Sequence, residues 1–535
     1  MIYDPLSYRY SSNRNVIYGT KGMVATGQPL AAQAGLEILK KGGNAVDAAI
    51  ATAACLTVLE PTANGLGGDA FAIIWIKDKM YGLNSSGPAP KSLSLNEIIN
   101  KGYNEIPRDG WIPVTVPGIP AAWCELSKKF GKLALQEVLE PAIDYAENGY
   151  PLAPGTAEYW DKSVKRFSKC IGSEFEYWFN TFTKDGKAPQ AGEIVKLKDH
   201  AKTLKSIGET YGKEFYCGEI AERLDKFSKQ YGGYIKKNDL ENFKPEFVKP
   251  VSINYKGYDI WELPPNGQGI VALMALNILN GYEFTERETV DTYHKQIEAI
   301  KIAFGDARKI ISDASNYNIS NLLSDNYGEE RRKLIQDSAI VPDKIKGMRN
   351  LKGGTVYLCT ADMEGNMVSY IQSNYMGFGS GLVVPKTGVA LANRGKCFSL
   401  DPRHPNCAAG GKRPYNTIIP GFITQDGSAI GPFGVMGGFM QPQGHVQVVM
   451  NMIDFHMNPQ EALDAPRWQW ISDRKVLLEH ECPKNLDFGL MRKNHDIKIE
   501  IEKGAFGRGQ IILKAENNIL CGGTEKRTDG QIAVW

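Results

Sequence analysis

The sequence predicts a mixed α/β protein, and three observations carry that expectation. Ala45–Leu59 is an Ala-rich segment, nearly apolar on every side, with the look of a buried helix. Apolar residues at Val290, Tyr293, Ile297, Ile300, Phe304, Ala307 and Ile311 step by three and four, which places them on one helical face. From Thr355 onward the pattern turns to short β-rich runs separated by turn residues.

The elements follow in order. Leu30–Lys41 is helical in composition and Gly42-Gly43 stops it. Asn44 then caps the buried helix, with Asp47 in its first turn at the favourable end of the dipole. Gly65-Leu66-Gly67-Gly68 turns the chain into a strand at Ala70–Ile76, and Asp78-Lys79 turns it back through Met80–Leu83. Residues 120–250 read as helical and more polar. In the helix from Val290 to Ile311, Lys and Asp on the second face predict a solvated surface. Asn316–Asn350 is polar without sustained alternation and reads as an exposed connector, a natural place for a cleavage junction. Thr355–Ala361 and Met367–Ser373 flank the turn Met363-Glu364-Gly365-Asn366, which predicts a hairpin.

Bulk properties exclude several function classes. The chain has 535 residues, 42% apolar and 23% charged, as expected of a globular protein with a large core. A net charge of +2 gives no field that would select nucleic acid or an acidic membrane. No apolar stretch is long enough to span a bilayer, since Ala45–Leu59 is too short and is interrupted by Asp47. Met1 to Tyr18 has no apolar core of a signal peptide, so the expected location is the cytoplasm. Nine cysteines at irregular spacing argue against a disulfide framework. Cys397, His404 and Cys407 lack a fourth ligand at zinc spacing, so neither a metal nor a cofactor is expected.

Gly353-Gly354-Thr355 carries the chemistry. A threonine hydroxyl with no base beside it is a poor nucleophile, and on its own this one reads as a strand residue. A cut just before Thr355 would free an α-amine that titrates near neutral pH and can act as its base. No histidine lies in a GxSxG elbow, and neither Gly65–Gly68 nor Gly377–Gly381 has the strand–GxGxxG–helix context of a dinucleotide site.

Several blocks, in order along nearly the whole chain, resemble the γ-glutamyltransferase family of N-terminal-nucleophile hydrolases. They are Gly22–Ala25 with Ile38–Ala49, Val116-Pro117-Gly118, Glu140–Ile143, Pro264–Gly269, and the helix carrying His294, Glu298-Ala299, Lys301 and Phe304 through Arg308. Lys412-Arg413-Pro414, Gly437-Gly438, Ala465-Pro466-Arg467 and Arg527-Thr528-Asp529-Gly530 complete the series. The resemblance implies an αββα four-layer sandwich, made as a precursor that cuts itself between Gly354 and Thr355. Segments 1–354 and 355–535 then remain one fold, each the other's partner. Secreted members of the family carry an apolar leader, which is the comparison behind the cytoplasmic expectation. A homo-oligomer is compatible with the resemblance.

The same resemblance implies roles for individual residues. Thr355 is the expected nucleophile, Ser373 a second hydroxyl beside it, and Gly437-Gly438 the backbone donors for an oxyanion. Asn416 and Thr417 fall where the family binds substrate with two serines, and Asn374 or Tyr375 where it uses an amide side chain. Elsewhere the pattern breaks. The stretch Gly82–Gly87 has no arginine to clamp a glutamate α-carboxylate, and Cys397 stands in place of the aspartate that takes the ammonium. Arg394 replaces a glutamine. The expected substrate is therefore a small amide or peptide whose acyl group has no free α-amine, with weak γ-glutamyl activity and with Arg394 pairing with a substrate carboxylate. Two alternatives stand beside this reading: genuine γ-glutamyl transfer or glutathione hydrolysis, and a binding or scaffold protein that has lost turnover.

Overall fold

The computed structural model describes residues 14–313, 318–342 and 354–535. Two seven-stranded sheets stack face to face. The first runs Gln531–Val534, Gly22–Thr26, Gly354–Asp362, Met367–Tyr375, Asp69–Ile76, Lys79–Ser85 and Glu246–Val248. The second runs Ile17–Gly19, Leu520–Thr524, Arg508–Lys514, Ser428–Met436, Gly421–Gln425, Tyr258–Glu262 and Val251–Tyr255. Every pairing in both sheets is antiparallel.

Strand alternation explains why four layers form. Along Gly354–Asp362, Val356 and Leu358 point outward into the helical core, while Tyr357, Cys359 and Ala361 point between the sheets. The first sheet is thus apolar on both faces and must be covered on both. Helices Pro29–Lys40 and Ala45–Leu59 cover its outer face. Gly269–Leu279 and Met440–Ile453 cover the second sheet, and Val290–Ala307 packs against both of these helices. The architecture is the expected αββα sandwich.

All residues of helix Ala45–Leu59 are buried, and Asn44 with Asp47 closes a capping box at its start. The hairpin turn falls at the expected place, with Gly365 at φ 81°. Six further helices of seven to fourteen residues occupy the 120–250 region.

Two expectations are corrected. The second face of helix Val290–Ala307 is not fully solvated, because Lys301 is buried against Glu298 at 2.7 Å. Residues 336–340 cover it: Ile340 N–H donates to Glu298 at 2.9 Å and the Ile340 carbonyl accepts from Lys301 at 3.2 Å. The polar stretch read as an exposed connector contains helices Ile319–Leu322 and Asp325–Arg332, with Leu322 and Tyr327 buried. Its polar composition hides two anchors five positions apart. The parts of it at 316–317 and 343–350 lie outside the described residues.

A buried ion cluster joins the C-terminal blocks. Arg467 donates to Glu525 at 2.9 Å, and Arg527 bridges Glu525 at 2.6 Å and Glu479 at 2.8 Å. Burial alone would push the Glu525 carboxyl up, but Arg467 and Arg527 bring it down to about 2. The folded carboxyl is thus more acidic than the unfolded one. Its contribution to stability is present above pH 4.5 and is lost as pH falls toward 2. Glu525→Gln is expected to destabilise the fold by about 3–5 kcal/mol at neutral pH, since it leaves buried guanidinium charge uncompensated. It is also expected to flatten the acid limb of the stability curve, measured by denaturant unfolding across pH.

Candidate active site

Thr355 opens a central strand of the first sheet and is buried. The register pairs it with Ser373, and alternation puts both on the face that looks toward the second sheet. The two hydroxyl oxygens lie 3.0 Å apart. Ser373 Oγ also lies 2.6 Å from the Gly354 carbonyl, which can only accept, so the single Ser373 proton points there. By elimination, Thr355 Oγ–H donates to Ser373 Oγ. Tyr375 N–H donates to the same oxygen at 2.7 Å.

The register shifts beside this pair, because Gly354 faces Tyr375 while Thr355 faces Ser373. Asn374 is the extra residue of a β-bulge. Tyr375 takes the left-handed region at φ 72°, a conformation that costs a bulky residue about 1–3 kcal/mol. Gly354 is required by close approach: a Cβ there would lie 2.8 Å from the Thr62 carbonyl and 2.9 Å from Ala63 Cα.

Gly437 and Gly438 follow the strand Ser428–Met436 of the second sheet, at φ 146° and 59°. Gln268 holds this turn, donating to the carbonyls of Gly438 at 2.9 Å and Thr417 at 2.7 Å. Tyr415 OH in turn donates to Gln268 Oε1 at 2.9 Å. The sequence signal for Gln268 is its position inside the Pro264–Gly269 block, although nothing there singles out the amide.

The expected pairing of Arg394 with a substrate carboxylate is corrected. Arg394 is fully buried, and its guanidinium forks onto Asp69, with Nε 2.7 Å from one oxygen and Nη2 3.0 Å from the other. Asn416 donates to the same carboxylate at 2.8 Å, and Arg394 Nη1 donates to Thr417 Oγ1 at 2.7 Å. Arg394, Asn416 and Thr417 therefore form a closed buried frame around Asp69. Asp69 sits at the head of an apolar strand, and that was its signal: a carboxylate there needs a distant cation.

Tyr375 stacks against the Arg394 guanidinium at 4.7 Å, with its hydroxyl beside Cys397. Burial pushes the Cys397 thiol up from its ordinary value, so it stays neutral. The Asn374 amide is buried without a hydrogen-bond partner among the described residues and lies against Gly65 and Gly68.

A cavity of about 470 Å³ opens beside the nucleophile pair. Gly354, Ala63 and Met376 line it, as does Met436, which precedes the Gly437-Gly438 turn. Arg108, Arg166 and Arg508 reach it from outside the blocks singled out in the sequence.

One buried His/Glu group has ligand atoms close enough to hold a metal: His294, Glu298 and His495. His294 Nε2 donates to the Gln336 carbonyl at 2.7 Å, so its Nδ1 accepts from His495 Nε2 at 2.8 Å. Lys301 already supplies positive charge to Glu298. These groups close on one another around residues 336–340.

The γ-glutamyltranspeptidase family model matches residues 31–535. The chain belongs to that family and is an enzyme of the hydrolase class with the N-terminal-nucleophile hydrolase fold. It is 37% identical over 467 residues to the glutathione hydrolase-like YwrD proenzyme of Bacillus subtilis, covering 86% of each chain. It is 30% identical to the oxamate amidohydrolase proenzyme of Klebsiella pneumoniae, covering 96% of this chain and 99% of that one. The crystal structure of cephalosporin acylase from Bacillus halodurans superposes with a TM-score of 0.95 at 55% identity, covering 100% of this chain and 99% of the other.

Two variants test the geometry. Ser373→Ala removes the donor to the Gly354 carbonyl and is expected to slow conversion of precursor to fragments by roughly 10²–10³-fold, followed on denaturing gels. Asp69→Asn leaves Arg394 buried and underpaired. It is expected to lower stability by about 3–5 kcal/mol in denaturant unfolding.

Proposed function

We propose that the chain is a self-processing amidohydrolase that cuts itself between Gly354 and Thr355 and then uses Thr355 to cleave amides through an acyl-enzyme. The observation that carries this reading is the Ser373 hydroxyl, which touches both the Thr355 hydroxyl and the Gly354 carbonyl. As Thr355 Oγ bonds to the Gly354 carbonyl carbon, its proton moves onto Ser373 Oγ. The Ser373 proton meets the charge growing on the carbonyl oxygen. The backbone N–H groups of Gly437 and Gly438 are the further donors assigned to that oxyanion. The C–N bond then breaks as the Thr355 nitrogen takes a proton, leaving an ester. Water splits the ester into a Gly354 carboxylate and a free Thr355 hydroxyl, beside the α-amine already released.

In the processed enzyme the α-amine takes the hydroxyl proton, Thr355 Oγ attacks the substrate amide, and an amine leaves. Water completes hydrolysis, and an amine in its place would complete transfer. Asn374, Tyr375, Arg394, Cys397, Asn416 and Thr417 act in this reading as the frame that shapes the acyl side of the site. With Cys397 neutral and Asp69 occupied by Arg394, an α-ammonium group would find no anionic partner there. Acyl groups without a free α-amine are therefore preferred to γ-glutamyl groups. Relatives named as an amidohydrolase and an acylase support the same class.

Thr355→Ala is expected to stay in one piece and to lose turnover of acyl-p-nitroanilides by more than about 10³-fold. Thr355→Ser keeps a hydroxyl and is expected to be cut and active. A Thr355→Ala protein that is cut at the same bond, or that turns over, would overturn the proposal.

A further inference from the structure

A small sheet beside the sandwich has an open edge. It runs Trp468–Ser472, Lys475–Glu479 and Asp496–Glu500. Among the described residues the last strand pairs on one side, parallel to Lys475–Glu479. The register shows which backbone groups face outward. Asp496 N–H donates to the Arg474 carbonyl at 2.8 Å, so Asp496, Lys498 and Glu500 turn their backbone groups toward Lys475–Glu479. The alternate residues, Ile497 and Ile499, turn theirs away from the sheet. Ile501 N–H, next in that series, donates to the neighbouring Glu500 carboxylate at 3.0 Å.

Side chains alternate as well, so Ile497, Ile499 and Ile501 share one face. Ile497 packs against the core that includes Leu486 and Leu490 of helix Lys484–Arg492. Further along the strand that cover ends: Ile499 is 46% exposed and Ile501 76%. Phe488, on the helix that contacts this strand, is 67% exposed. Lys498 and Glu500 take the opposite face, 3.0 Å apart.

Charged residues on an open edge usually keep other strands away. Here their order makes the strand complementary to itself. Laid antiparallel on a second copy and centred on Ile499, the strand sets Lys498 against Glu500 twice, and Ile497 against Ile501 twice. The hydrogen-bonding positions of that ladder are 497, 499 and 501, the residues outside the existing ladder. Lys498 and Glu500 fall at the positions between, where facing side chains lie closest. The end pair, Asp496 with Glu502, is like-charged, and Lys162 already pairs with Glu502 at 3.3 Å. Other registers fit worse. A slip by one residue puts isoleucines opposite charges, and centring on Lys498 or Glu500 sets that charge against itself.

We infer that this edge is the interface of a two-fold homodimer, in which a second copy of the chain pairs antiparallel about Ile499. Every residue of the interface lies in the segment 355–535, so the inference stands apart from the cut and from the amidohydrolase reading.

Sedimentation equilibrium of the full protein over about a hundredfold range of concentration tests it. The average mass is expected to rise with concentration from 59.1 kDa toward twice that value. Lys498→Glu puts an acidic side chain against Glu500 at both symmetric positions and is expected to weaken the dimer at least about tenfold. Adding Glu500→Lys restores opposite signs across the interface and is expected to return the affinity to within about threefold of wild type. Ile499→Lys places two like charges on the axis and is expected to hold the protein at the mass of one copy. Lys498 and Ile499 are exposed, so melting curves of the dilute variants are expected to match wild type, which separates a lost interface from a lost fold. A wild-type mass of one copy at every concentration overturns the inference, since the charges then keep the edge apart. A dimer that survives Lys498→Glu and Ile499→Lys overturns it as well, and a double variant as weak as Lys498→Glu overturns the register.

Discussion

A serine hydroxyl has one proton, and in this protein the Ser373 proton is directed at the Gly354 carbonyl. Most of the architecture around the site serves that direction. The pairing of Gly354–Asp362 with Met367–Tyr375 brings Ser373 level with Thr355. The bulge at Asn374 brings the Tyr375 N–H onto the same oxygen, which also accepts from Thr355 and donates to Gly354. Apolar packing on both faces of the strand holds the arrangement, since Val356 and Leu358 are fixed against helices while Tyr357 and Cys359 are fixed against the second sheet. A loosely held edge strand could not keep oxygen atoms within hydrogen-bond reach in a buried, preorganised site.

Much of this was legible in the sequence because it depends on local pattern. The all-apolar helix Ala45–Leu59, the hairpin after Thr355 and the stepping of Val290–Ala307 are each set by periodicity and turn chemistry within a short window. The pairing of Thr355 with Ser373 follows from hairpin register alone. What was not legible depends on residues far apart in the chain. Arg394 and Asp69 are separated by 325 positions, and neither pattern nor spacing marks them as partners. The guanidinium looked available for a substrate because its carboxylate was hidden at the start of an apolar strand. Lys301 looked solvated for the same reason, because its cover comes from residues 336–340.

The Arg394 correction changes the account of specificity. A buried arginine already forked onto Asp69 and bonded to Thr417 has its charge compensated, so it contributes shape more than attraction. Among the described residues, the Arg108 guanidinium in the cavity wall makes no hydrogen bond or ion pair, and it lies in a loop that carries none of the blocks shared with the family. The Thr355–Ser373 pair and the arginines Arg108 and Arg166 thus come from different parts of the molecule. The pair sits on adjacent strands of the first sheet, and the arginines line the cavity from a loop and a helix that contact residues 376–393.

The central claim is that the Thr355 hydroxyl breaks the Gly354–Thr355 bond. Intact-mass measurement of the purified protein under denaturing conditions tests it most directly. The account predicts two fragments whose summed mass exceeds that of the 59.1 kDa chain by one water, the smaller beginning at Thr355. A single chain that persists on incubation, or a cut at any other bond, would contradict it.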